Sequence, residues 1–309
     1  MKDAGDMKRG EAPTGQRDLL EAKLLRPLRD GYERLTKTEK KIAAYLLARP
    51  DCLVLETAAI IAGNVGVSPM TVGRLLRKLG YDGVSDVRQR LTSDLYGPEG
   101  GSLWSIDRRY RAFAKREASK LNREQSLEAE LGAIRRAYEL TETPLWARAV
   151  DSFAHADRVY VSGLHMARGL AQEFISRLEY IRPGVHLADG QNGHYADLLF
   201  DDSKRVAVML IDFYRYDKAT QRAAELAKQR GHEVHVLADS FCLWAHKTTD
   251  SVFNLPTSTG LYWHSTAAMS VLLNLLVNDV IRALGKAVPK RIAGVLRSQK
   301  VFDQFAEDL

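Results

Sequence analysis

Cysteine is scarce in this 309-residue chain: Cys52 and Cys242 are its only two, far apart and outside any CxxC or Cys/His spacing. That argues against a disulfide scaffold, a thiolate metal site or a redox motif, and reads both as small buried residues. Long apolar runs are missing too. The most apolar stretch, TAAMSVLLNLLVNDVI, is broken by Asn274, Asn278 and Asp279 and falls short of a bilayer span, so no membrane partner is expected. The opening residues, MKDAGDMKRGEAPTGQRD, are charged without an apolar centre. They read as a flexible tail over residues 1–17 rather than a secretory leader, and a reducing cytoplasm is the expected compartment. What the chain does have is charge: 45 Lys and Arg against 39 Asp and Glu, net +6. Such an excess permits a polyanionic partner without requiring one. With 45% hydrophobic residues, the length suits two domains.

A composition break at GPEGGS, Gly97 to Ser102, reads as a hinge. Before it only helical periodicity is present, which gives an all-α domain over residues 18–96. A linker and connecting helix follow over 97–125, and the charged helical pattern runs on to Leu140. From Asp157, apolar runs alternate with helical segments: RVYVSG, GVHLAD, RVAVMLIDF, EVHVLAD and SVFNL, then a long apolar helix from about Ser265 to Leu284. Strands without alternation, each followed by a helix, predict an α/β doubly wound parallel sheet over 126–286. A helical tail occupies 287–309.

Three short helices are legible in the first domain. TKTE opens one with a capping box between Thr36 and Glu39, and Ile42, Ala43, Leu46 and Leu47 form its apolar face. A second runs from about Thr57 to Asn64. Gly66 then supplies a turn, and Ser68 as N-cap with Pro69 at N1 starts the third. Val72, Leu75, Leu76 and Leu79 make its buried stripe, which leaves Met70, Thr71, Arg74, Arg77 and Lys78 on the other face. This is the layout of a helix-turn-helix, whose third helix lies in the DNA major groove. Ser68, Met70, Thr71, Arg74, Arg77 and Lys78 are the candidate contacts to double-stranded DNA. Thr71 suits a thymine methyl or a phosphate, Arg74 a guanine edge, and Arg77 and Lys78 phosphates. Arg88 and Arg90 add nearby charge, while Asp82 and Asp86 subtract some. On spacing alone, an ordinary amphipathic helix with a solvated basic face fits equally well.

The stretch LTKTEKKIAAYLLARPD…VGVSPMTVGRLLRKLGYDGVSDVRQRL, residues 35–91, resembles the amino-terminal domain of the RpiR family of bacterial transcriptional regulators. Leu-Thr-x-x-Glu, Val-Ser-x-x-Thr-Val, Arg74, RKLGY and GVSD all stand where that family has them. Two positions depart: Ile60, where the family usually has an acidic residue, and Gly73 inside the third helix. The resemblance implies a second domain of sugar isomerase (SIS) type that binds a sugar phosphate at strand ends and dimerises. There the departures grow. GLHMA keeps Gly163 but has His165 and Ala167 where the family has a second Gly and a Ser. DFYRYD stands where the family has Ser-x-Ser-Gly-x-Thr. A carboxylate about 4 Å from a phosphate costs roughly 4 kcal/mol at an effective dielectric of 20.

Candidate effector residues are therefore Gly163, His165, His194, Asp212, Tyr214, Arg215 and Asp217. Three readings of this pocket stay open. It has changed specificity toward an unphosphorylated sugar, polyol or acid; it is degenerate, with an Asp212–Arg215 ion pair and a domain that serves only to dimerise; or it keeps a phosphate site in another register. Asn192, Trp263 and His264 either edge the pocket or pack beside it. No metal, cofactor or catalytic residue is expected. The favoured reading is a non-enzymatic regulator acting as a homodimer or homotetramer. A sugar-phosphate isomerase with an added helical domain and a protein-binding regulator without DNA contact are the rivals.

Overall fold

The computed structural model describes residues 20–49, 52–96, 110, 123–190 and 195–302. The chain divides into two compact units, Met1–Arg108 and Arg109–Leu309. The expected tail, the GPEGGS hinge and most of the connecting stretch lie outside the described residues.

Among the described residues, the regular elements of the first unit are all helical. After a short helical turn at Glu21–Leu25 come α1 (Arg26–Asp30), α2 (Lys37–Ala48), α3 (Cys52–Leu55), α4 (Ala58–Val65), α5 (Pro69–Lys78) and α6 (Val84–Tyr96). Its core is built from Leu28, Ile42, Ala43, Leu46, Leu53, Ile61, Val72, Leu75, Leu76, Val87 and Leu91. The expected stripe of the third helix is thus buried, except that Leu79 at its end is only half-buried. Thr57 caps α4 by accepting the Ile60 amide at 3.3 Å. At its other end Gly66 takes φ +71, a left-handed conformation glycine reaches without a Cβ penalty. That residue lets the chain turn, so that α4 and α5 meet at 106°, within the range of helix-turn-helix pairs.

The second unit begins with α7 (Arg123–Thr141) and α8 (Pro144–His155) and then alternates strand and helix. β1 (Arg158–Gly163), β2 (Val185–Leu187), β3 (Val206–Asp212), β4 (Glu233–Asp239) and β5 (Val252–Leu255) form one sheet in the order β2-β1-β3-β4-β5. Every neighbouring pair is parallel, with Val159 opposite Ala207 and Met209 opposite His235. The intervening helices are α9 (Arg168–Ile181), α10 (Ala196–Leu199), α11 (Lys218–Gln229) and α12 (Leu243–Thr248); α13 (Ala267–Leu284) and α14 (Ala287–Val301) follow.

All residues of β3 are buried, as a central strand covered on both faces must be. One sheet face, with Tyr160, Val208, Leu210, Val236 and Ala238, packs on Leu198, Ala224, Ala227, Trp244 and Ala245 from α10, α11 and α12. On the other face Phe253 meets Trp146 of α8, and Phe153 of α8 stacks against His235 and Phe174. Helix α13 is long and apolar enough to cross a membrane by composition. Its Met269, Leu272, Leu276 and Val280 are instead buried, and it packs against α7, α8 and α9. Both cysteines are buried thiols, as their isolation in the sequence suggested.

Candidate functional site

Two surfaces gather the candidate residues. The first is the outer side of α5. Ser68 caps the helix, accepting the Thr71 amide at 3.3 Å, and its hydroxyl lies 2.8 Å from the Thr71 hydroxyl. Ser68, Met70, Arg74, Arg77 and Lys78 are exposed and Thr71 half-exposed, so the six share one accessible face. Met70 leaves 63% of its surface open, a large value for an apolar residue beside two arginines. Arg74 reaches back to the Met70 sulfur at 3.7 Å. Neither Arg74 nor Arg77 is ion-paired among the described residues. Lys78 differs: its ammonium group is bonded to the Glu39 carboxylate of α2.

The flanking arginines do not extend this basic face. Arg88, expected to add surface charge, is 3% exposed. Its guanidinium donates to the carbonyls of Leu53 and Glu56, oxygens that the short helix α3 leaves without helical partners. Burial pushes its pKa down to about 10, so it remains a cation. Arg90 is held by Asp86, with Nε 3.0 Å from Oδ1. Ile60, where an acidic residue is usual in the family resembled, is 46% exposed, so the site accepts either type.

The second surface lies at the carboxyl ends of β1 and β3, where the strand order reverses. Open parallel sheets bind ligands at that position. Gly163 ends β1, and a Cβ built there would stand 2.6 Å from the Ala167 carbonyl oxygen, so only glycine admits the start of α9. His165 follows at φ +51 with its side chain largely exposed. It has the left-handed backbone natural to the glycine it replaces. Its imidazole Nε2 lies 3.5 Å from Asp217 Oδ2.

The loop after β3 is held from below by two buried carboxylates. Asp239, at the end of β4, accepts the Tyr214 amide at 2.9 Å, the Phe241 amide at 3.0 Å and the Tyr216 hydroxyl. Above it Tyr214 sits at φ +69 while the Arg215 amide donates to the Phe213 carbonyl at 2.8 Å. This is a γ-turn in its strained form, which persists only when its surroundings fix it. Asp212 accepts from Trp244 Nε1 at 3.0 Å and from the Asp217 amide at 3.3 Å. Burial pushes its pKa up to about 7; the Trp244 and Asp217 hydrogen bonds oppose that shift and the charge of Asp239 adds to it. Burial also raises Asp239.

Several expectations change on this geometry. Asp212 makes no ion pair with Arg215 among the described residues; its partner is the Trp244 indole, and Arg215 is exposed. Asp217 is the N-cap of α11, accepting from the amides of Ala219 at 2.6 Å and Thr220 at 3.2 Å. His264 bonds Thr257 at 2.6 Å and stacks 4.7 Å from the Tyr214 ring, which brings it beside the β3 loop, while Trp263 is 49% exposed. His194 and Asn192 lie outside the described residues. Asp239 and Trp244 were not singled out from the sequence. The one available signal was that EVHVLAD ends in an aspartate just as VAVMLID does.

Comparison with known proteins agrees with both units. The helix-turn-helix domain of the rpiR family matches residues 22–97. An uncharacterized HTH-type transcriptional regulator of Clostridium perfringens is 22% identical over 87% of this chain and 96% of its own length. The HTH-type transcriptional regulator HexR of Escherichia coli is 24% identical over 84% of this chain and 86% of its own. Among solved structures, the sugar isomerase domain of an RpiR transcription factor from Sphaerobacter thermophilus covers 60% of this chain and 99% of its own, with 19% identity and a TM-score of 0.50. The chain thus carries a helix-turn-helix domain of the rpiR family at residues 22–97, followed by a parallel-sheet domain whose fold is similar to that of a solved sugar isomerase (SIS) domain.

Proposed function

We propose that this protein binds double-stranded operator DNA as a homodimer and adjusts that binding to a small polar metabolite. The observation that carries the DNA reading is the open face of α5, where Ser68, Met70, Thr71, Arg74 and Arg77 project together from a helix set at 106° to its predecessor. In that geometry the recognition helix enters the major groove with its amino-terminal side chains at base edges. Arg74 reads a guanine, Thr71 touches a thymine methyl or a phosphate, and Arg77 meets the backbone.

The metabolite binds over the β1 and β3 loops, with Gly163, His165, Tyr214, Arg215 and Asp217 around it. Asp212 underlies the site and adds negative charge as it ionises. Carboxylates in this position disfavour a phosphate group and favour an unphosphorylated sugar, a polyol or an acid held by Arg215. Binding shifts the population between two arrangements of the dimer and so the spacing of the two recognition helices against their half-sites.

The isomerase alternative needs a base beside the sugar. Asp212, the carboxylate that ends β3, is 5% exposed and already bonded to Trp244 and the Asp217 amide. A non-enzymatic regulator fits better. Capture of genomic DNA by the purified protein tests the reading: enrichment of one recurring palindrome supports it, and recovery of random fragments would refute it. Thermal-shift screening then identifies the ligand class. Stabilisation by hexose or pentose phosphates alone would reject the proposed preference.

A further inference from the structure

The three cations of α5 are not equivalent, and the difference lies in Glu39. One oxygen of its carboxylate accepts the Thr36 amide and the Thr36 hydroxyl, both at 2.9 Å, closing the amino-terminal turn of α2. The other oxygen meets the Lys78 ammonium in the last turn of α5. Glu39 is only 7% exposed, although Lys78 keeps more than half of its side-chain surface. A single carboxylate thus ties the start of the first helix of the motif to the end of its third. Arg74 and Arg77 have no such partner among the described residues.

We propose that Glu39 is a positioning residue for DNA recognition: it latches Lys78, so that this lysine fixes the angle of α5 and does not itself neutralise a phosphate. The proposal rests on the reading of α5 as the DNA-contacting helix. A cation already neutralised by a carboxylate displaces no counterion from DNA, whereas a free one contributes about 0.9 to the slope of log K against log salt. The lowered pKa of Glu39, for which the Lys78 hydrogen bond is the largest cause and the Thr36 amide the next, fits a carboxylate that stays ionised in the folded unit.

The test uses the full chain with Glu39→Gln, Lys78→Met and the double variant. Glutamine still accepts from Thr36, so the ion pair is removed without removing the cap. On captured operator DNA, each single change is expected to weaken binding about three- to tenfold, and the double variant no further, because the pair acts as a unit. The salt slope of Lys78→Met should stay within about 0.3 of the wild type. A slope lower by about one unit, or losses that multiply in the double variant, would overturn the latch. Thermal melting of the four proteins judges it without DNA: the two changes should be non-additive, and additive shifts would reject it. If the wild type bound no DNA at all, the reading of α5 would fail while the melting cycle still decided on the latch.

Discussion

Trp244 donates its indole N–H to the buried carboxylate of Asp212 across 3.0 Å, joining α12 to the end of β3. The folded-state pKa of Asp212 is about 7, well above the ordinary carboxylate value. The folded protein therefore binds more protons than the unfolded chain between about pH 4 and pH 7. Stability falls as pH rises through that window, by at most about 1.4 kcal/mol per unit for one proton, and levels off above it. Asp212→Asn keeps an acceptor for Trp244 and removes the titration. Melting curves at pH 5, 6 and 7.5 should show a smaller pH dependence in the variant. Profiles that run parallel to the wild type would contradict the assignment.

Two neighbours in the β1 loop should respond in opposite directions. Gly163→Ala drives a methyl group to within 2.6 Å of the Ala167 carbonyl oxygen and should destabilise the second unit by about 1–3 kcal/mol. His165→Gly relieves the left-handed backbone at φ +51 and should stabilise it by up to about 1 kcal/mol, while weakening the response to the effector. Thermal unfolding reads both. Equal destabilisation by the two changes would show that the backbone at His165 is not strained.

Arg74 is the candidate base reader. Arg74→Ala should cost about 1–3 kcal/mol of operator affinity and relax the preference at one base position. Competition binding against a library of single-base operator variants measures it. A uniform loss at every position would place Arg74 on the backbone instead.

Gly73 interrupts α5 with a residue that costs a helix interior about 1 kcal/mol relative to alanine. A Cβ there would find only the end of the Arg77 side chain, at an ordinary 3.9 Å. Nothing among the described residues calls for glycine, and the proposed reading of α5 explains it by close approach of the DNA. Gly73→Ala should raise the melting temperature and lower operator affinity together. A variant that is more stable and binds equally well would leave the glycine unexplained.

Much of this was legible in the residues themselves. The capping box, the Ser68–Pro69 helix start, the turn at Gly66 and the five parallel strands are local signals, set by caps, permitted φ values and unbroken apolar runs. Pairing at a distance escaped. Nothing in RQRL marks Arg88 as buried, because its partners are backbone carbonyls more than thirty positions earlier. Asp212 has a neighbouring arginine in sequence, yet its bond goes to Trp244 on α12, the helix that leaves the adjacent strand β4. Lys78 belongs to the exposed face by its spacing, and only the packing of α2 beside α5 reveals Glu39 next to it.

Fluorescence anisotropy of a labelled operator duplex, titrated with the full chain across a series of salt concentrations, bears most directly on the whole. Saturable binding is expected, with log K falling linearly as log salt rises and a clear loss on Arg74→Ala. A protein that leaves the duplex free at the lowest ionic strength, or binds it identically without Arg74, would contradict the claim that the open face of α5 reads DNA.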